Sequence, residues 1–232
     1  MAMTPAELRA EVHAGHTRLA AMLEGLTDAG ARAASALPGW SRGHVLTHLA
    51  ELATALTRQA ELAFVGELAE VYDGGRAGRD AAIEAGSGRP AAELRTEVLR
   101  TAAGLEDAWA RANPEDWRRP VRYRDGVLLD TAYCWWREVE VHTADLALDY
   151  GPQDWTDAFC AHLIDFLAPR APEGIRLTLA ADDGAHRWVW GGGRQVGVRG
   201  ELRDLAAWMA GRRTTGPLTA TDGTLPELGP WP

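Results

Sequence analysis

The sequence predicts a mainly α-helical protein with an α+β appendage at its C-terminal end. Up to about residue 167, apolar residues recur at helical spacing over several long stretches, punctuated by Pro and Gly. After Gly174 they fall in short runs rich in β-formers between Gly and Asp turns, with one more helical stretch among them. Helices first and strands later indicate two domains, or a bundle with an appendage. The boundary is expected at Pro169 and Pro172-Glu173-Gly174, which divides the chain into 1–168 and 169–232.

The first helix is expected over 5–27. Thr4 is its N-cap, Pro5 suits the first turn, Glu7 stands at capping-box spacing, and Leu8, Val12, Leu19, Met22 and Leu26 form its stripe. Pro38-Gly39 breaks the chain. A second helix runs from Ser41, its N-cap, to Phe64, with Val45, Leu49, Leu52 and Leu56 on its apolar face. The glycine-rich stretch from Asp73 to Gly88 reads as a crossover with a short helix at 80–85. A third long helix fits 90–112 and stops at Asn113-Pro114. Val121–Asp125 reads as extended. A fourth long helix covers 130–149, and a shorter one covers 156–167. Strands are expected at 175–180, 187–190, 195–199 and 218–220, with a helix at 201–210 before the last.

Composition excludes several classes. The 232 residues carry a net charge of −9 and no Lys/Arg-rich run, so neither a nucleic-acid nor an anionic-membrane surface is expected. Cys134 and Cys160 lack CxxC spacing and imply neither a disulfide framework nor a thiolate zinc site. The N-terminal residues are charged from the start with no apolar signal region, and no stretch is long and apolar enough to span a bilayer. The expected location is the cytoplasm. Oligomeric state is not legible. The ten tryptophans fit either a core or a wide aromatic pocket.

Two segments carry the chemistry. His44 and His48 are four residues apart on the second helix, and Glu138 and His142 are four apart on the fourth. Residues at that spacing project from one helix face. Facing helices of a bundle hold metals with such inward side chains, and a His₂Glu set leaves positions open for water or substrate. Spacing alone leaves all four as candidates. It leaves open equally that they are ordinary surface or capping residues. Asp145, three residues beyond His142, can orient a ligand through a hydrogen bond. Cys134, one turn before Glu138, reads as a small buried filler. His13, His16, His162 and His186 have no matched partner.

These segments resemble the mycothiol-dependent maleylpyruvate isomerase family, a branch of the DinB-like metalloenzymes. The resemblance lies in Pro-Gly-Trp-Ser-Arg-Gly-His-Val-Leu-Thr-His-Leu-Ala at 38–50, Ile-Glu-Ala-Gly-Ser-Gly-Arg at 83–89 and Trp-Arg-Glu-Val-Glu-Val-His-Thr-Ala-Asp-Leu at 136–146. The segment Leu205-Ala-Ala-Trp-Met-Ala-Gly-Arg212 matches more loosely. The resemblance implies a DinB-like four-helix bundle with a small α+β domain behind it. It implies His48, Glu138 and His142 as metal ligands, with His44 a neighbour, and Arg212 as a catalytic arginine that orients an anionic substrate. Arg42 and Arg89 are further arginine candidates.

The implied cofactors are a divalent metal, with zinc suited to the donor set, and mycothiol as thiol co-substrate. The implied partners are mycothiol and a small electrophile. In the isomerase reaction the thiolate adds to the cis double bond of maleylpyruvate. The resulting single bond rotates, and expulsion of the thiolate leaves the trans product. The same site would serve a mycothiol S-transferase acting on another electrophile, or a non-catalytic metal- or ligand-binding protein of the same fold.

Overall fold

A computed structural model describes residues 3–232 and divides the chain into two compact units, Met1–Asp149 and Tyr150–Pro232. The first contains α1 (Pro5–Met22), α2 (Asp28–Arg32), α3 (Arg42–Val65), α4 (Gly75–Gly86), α5 (Ala91–Ala110) and α6 (Leu128–Asp145). The four long helices, α1, α3, α5 and α6, form the bundle. α3 packs on α5, α6 and α4, while α1 packs on α6 and α5.

Local sequence sets the helix ends. At α1, the Glu7 N–H donates to Thr4 Oγ1 at 3.3 Å and the Thr4 N–H donates to Glu7 Oε2 at 2.7 Å, which is a capping box. α1 stops short of the expected residue 27 because Gly25 turns the chain at φ 78° and Thr27 caps a helix of its own. At α3, the His44 N–H donates to Ser41 Oγ at 3.3 Å and the Ser41 N–H donates to His44 Nδ1 at 3.1 Å. The His44 ring thus fills the role that Glu or Gln usually takes. α4 begins at Gly75, five residues before the expected start. The segment expected to be extended at 121–125 is a tight turn instead. Its Val121 N–H bonds the Gly126 carbonyl at 2.9 Å, and Arg124 and Asp125 adopt left-handed backbone angles.

The core is aliphatic and aromatic. Leu8, Val12 and Leu19 of α1, Val45, Leu49 and Leu56 of α3, Val98 and Leu105 of α5, and Val139 of α6 are all fully buried. Each such side chain contributes roughly 1.5–3 kcal/mol on removal from water. Trp109, Trp135, Trp136 and Trp155 are no more than 1% exposed, so these tryptophans are core. α6 is buried almost all round, including its polar Arg137, Glu140 and Asp145.

A buried helix must pair its polar groups. Glu140 pairs with Arg18 of α1. The Trp135 indole N–H donates to His16 Nε2 at 2.6 Å; because that Nε2 accepts, the Nδ1–H of His16 is the donor to Glu106 of α5. His13 Nδ1 lies 3.0 Å from the other Glu106 oxygen. This chain of bonds ties three bundle helices together.

The second unit contains α7 (Asp157–Phe166), β1 (Ile175–Ala181), β2 (Arg187–Gly191), β3 (Arg194–Gly200), α8 (Leu202–Met209) and β4 (Thr219–Ala220). The sheet order is β2-β1-β3-β4, with β1 parallel to β3 and the outer pairs antiparallel. Leu177, Leu179, Val196 and Val198 alternate onto the buried face, and α8 packs against β1 and β3. α7 packs on α8. The division therefore falls at Asp149/Tyr150, before α7, and not at 168/169 where the Pro-rich segment suggested it.

The Glu106 link is open to test. Partial burial raises the Glu106 pKa, but hydrogen bonds and charge from His16 and His13 outweigh it and hold the carboxyl below its ordinary value. A depressed carboxylate stabilises the fold above its unfolded pKa, and that stabilisation is lost as pH falls through the folded value. Glu106→Gln is expected to cost roughly 1 kcal/mol at pH 7, the part-exposed carboxylate being screened by solvent. In urea unfolding of both proteins, the difference should shrink below about pH 4.

Candidate metal centre

α3 and α6 bring His48, Glu138 and His142 together. Glu138 Oε2 lies 2.8 Å from His48 Nε2 and 3.2 Å from His142 Nε2. The two imidazole rings stand at 89° with centroids 4.8 Å apart. Among the described residues, these are the one group of three or more His, Cys, Asp or Glu side chains whose donor atoms all lie within 4.8 Å of one another. His48 is 4% exposed, while the side chains of Glu138 and His142 are 25% and 15% exposed, so the cluster is sunk in the bundle wall with one side open.

Each ring is oriented from behind. Buried Asp145 accepts from His142 Nδ1 at 2.8 Å. Arg79 of α4 places Nη2 3.2 Å from His48 Nδ1. A guanidinium can only donate, so His48 Nδ1 accepts and its proton sits on Nε2, directed at Glu138. Trp40 lies edge-on to His48 at 5.8 Å and stacks on His44 at 6.0 Å.

The electrostatics follow from burial and pairing. Desolvation lowers the His48 pKa, against the opposing pull of Glu138. Desolvation opposes charge on Glu138 too, yet hydrogen bonds from His142 and His48 hold its carboxyl well below the usual carboxylate range. At His142, burial is outweighed by the bonds to Asp145 and Glu138, and the pKa rises to about 9. The three donor atoms facing one point, two nitrogens and a carboxylate oxygen, are the types that hold zinc and related divalent ions.

A family model described as the mycothiol maleylpyruvate isomerase N-terminal domain matches residues 12–147. The chain belongs to the mycothiol maleylpyruvate isomerase family. The C-terminal domain model of the same family matches residues 154–230. The fold agrees with a crystal structure of the mycothiol-dependent maleylpyruvate isomerase at TM-score 0.89 and 26% identity, covering 99% of this chain and 98% of that one. A histidine-to-alanine mutant of that isomerase gives TM-score 0.89 at 25% identity with the same coverage. No curated protein matches the chain.

Within this family member the other sequence candidates separate. His44 is a capping residue whose Nε2 lies 3.2 Å from exposed Glu84. Cys134 stands outside the cluster, and burial pushes its thiol up to about 12. Arg42 spends its donors on main-chain carbonyls: Leu146 at 2.6 Å, Ala147 at 3.0 Å and Gly30 at 3.1 Å. It secures the end of α6. Arg89 Nε donates to the Gly86 carbonyl at 3.1 Å. In the second unit, Arg212 donates from Nη1 to the Ala210 carbonyl at 2.7 Å, and its guanidinium stands 5.5 Å from the centre of the Trp231 ring.

Sequence reasoning missed Arg79 and the neighbouring Tyr72, which interacts with Arg79 and with Glu138. Both lie around the glycine-rich crossover, where no periodicity pointed inward. The thiols provide a check on the cluster's membership. Both cysteines are buried, so at pH 8 the native protein should show no fast reaction with an aromatic disulfide reagent. Two equivalents should react on unfolding.

Proposed function

We propose that this family member is a divalent-metal-dependent enzyme that uses mycothiol to isomerise maleylpyruvate. The observation carrying the proposal is the convergence of His48, Glu138 and His142 on one point with a side left open, within a fold of the mycothiol maleylpyruvate isomerase family. The three side chains hold the metal, and their His₂Glu chemistry suits zinc. When bound, the ion supplies the charge that keeps a thiol deprotonated at neutral pH.

The rest falls to the chain itself. Asp145 orients His142 by accepting from Nδ1, which leaves Nε2 to face Glu138 at the centre of the cluster. Glu138 contributes negative charge, and its carboxylate is already stripped of its proton by its neighbours. Trp40 shields the His48 edge of the cluster from water. We carry Arg212 forward as a substrate-orienting arginine, on the family resemblance, since guanidinium pairs well with carboxylate. No helix among the described residues is long and apolar enough to cross a membrane. Action in the cytoplasm on a small molecule is part of the proposal.

Elemental analysis of the purified protein should find about one divalent ion per chain, as a single three-ligand site requires. A His48→Ala/Glu138→Ala/His142→Ala triple variant should lose that ion; stoichiometric metal retained by the variant would refute the ligand set. Maleylpyruvate should turn over only when mycothiol is added, and full turnover without thiol would exclude the reaction proposed. Asp145→Asn should keep the fold and weaken metal binding by about 10- to 100-fold, the usual effect of losing such a partner. Competition with a chromophoric chelator measures this.

A further inference from the structure

We propose that Arg79, with the Tyr72 hydroxyl beside it, is the anion-positioning group of this site, its guanidinium receiving a carboxylate of the substrate at the edge of the His48–Glu138–His142 cluster. This rests on the reading above that the cluster holds a metal and the substrate is an anion.

Arg79 Nη2 lies 3.2 Å from His48 Nδ1, and the Tyr72 hydroxyl is hydrogen-bonded to Arg79. The arginine side chain is 24% exposed and the cluster's open side is at hand. Among the described residues its one carboxylate partner is the adjacent Asp80, at 2.8 Å and 55% exposed, a pairing that solvent largely screens. Arg42, by contrast, gives Nε, Nη1 and Nη2 to main-chain carbonyls.

A group whose task is to support a metal ligand is an acceptor or an anion, as Asp145 is for His142. Arg79 is a permanent cation, and its charge disfavours a further positive charge on His48. Placed beside a cation site, it opposes the occupant. Such a charge is useful there only when an anion also enters.

Arg79 can bond His48 Nδ1 only while that nitrogen offers a lone pair, which requires the proton on Nε2. If Nε2 gives its lone pair to a metal, Nδ1 carries the proton and becomes a donor. The Arg79 N–H then faces another donor and needs a new acceptor, and a carboxylate meets that need. Metal loading and anion capture are thereby linked through one imidazole.

The test uses maleate, a dicarboxylate that does not react in the absence of thiol, titrated calorimetrically into the zinc-loaded full-length protein. Arg79→Gln should weaken maleate binding by about 10- to 100-fold, as loss of a charge-assisted pair does, and Arg79→Lys should recover part of it. The same Arg79→Gln protein, stripped of metal, should bind zinc as tightly as wild type or more tightly. In turnover, its KM for maleylpyruvate should rise with little change in kcat or in the KM for mycothiol. Maleate binding unchanged in Arg79→Gln, absent from wild type, or lost only in step with zinc affinity would each overturn the proposal. Wild-type protein that binds maleate through Arg79 but never turns over maleylpyruvate with mycothiol would overturn the function reading and leave the anion site standing. If wild type takes up no zinc, the metal reading fails and the Arg79 proposal falls with it.

Discussion

The bundle is organised around a helix that is buried almost all round and yet carries charge. Along α6, Arg137, Glu138, Glu140, His142 and Asp145 all lie within nine residues, and Arg137, Glu140 and Asp145 are no more than 6% exposed. An unpaired charge in such surroundings costs several kcal/mol, so each must find a partner. Glu140 takes Arg18 from α1, Glu138 takes His48 from α3, and Asp145 takes His142 from its own helix. These pairings fix the rotation of α6 and its height against α1 and α3. A turn of α6 about its axis that left the apolar packing tolerable would still part Glu138 and Glu140 from their partners on α3 and α1.

The same requirement makes the cluster suited to its task before any ligand arrives. Glu138 accepts from both histidines and is held ionised against a large desolvation penalty. The three donor atoms are therefore already gathered, so on the metal proposal little side-chain entropy remains to be lost when an ion replaces the protons between them. The surrounding main chain supports this arrangement. Arg42 binds the carbonyls of Leu146 and Ala147 just beyond α6, and the Ala36 N–H binds the Asp145 carbonyl at 2.8 Å. Gly43, in the first turn of α3, has no room for a Cβ against the Ser87 carbonyl. That close approach seats the turn between α4 and α5 against α3, one turn from His48.

Much of this was legible in the sequence because it is local. Thr4 and Ser41 announce helix starts through side-chain caps, and the i,i+4 pair Glu138/His142 needs only helical geometry to share a face. Choosing His48 over His44 was beyond spacing, since both stand near the start of one helix; the structure separates them by giving the His44 ring to the Ser41 cap. What stayed hidden was tertiary. The partner of α7 is α8, some 35 residues later and across three strands, so no local signal could move the boundary from 168 to 149. His16 lacks a partner four residues away and finds Trp135 and Glu106 on two other helices. Arg79 sits among glycines that read as a crossover, and only the packing of α4 on α3 brings its guanidinium to His48.

Activation and selection are thus assigned to different parts of the bundle. The proposed ligands on α3 and α6 are mutually paired, while Arg79 comes from a shorter, glycine-flanked and more exposed helix. Isomerisation about a former double bond places opposite demands on the two ends of the substrate. One end must be held so that the reacting carbon stays by the thiolate, and the other must swing freely once the bond becomes single. Clamping both ends in one cis geometry would stabilise the starting arrangement as much as the route out of it, and binding spread evenly over ground and transition states does not raise turnover. On the Arg79 proposal, the guanidinium beside the cluster holds one carboxylate firmly at the end that reacts and leaves the rotation of the other end unopposed. A transferase that retains its adduct has no such need for asymmetry, and a clamp at both ends would serve it equally well.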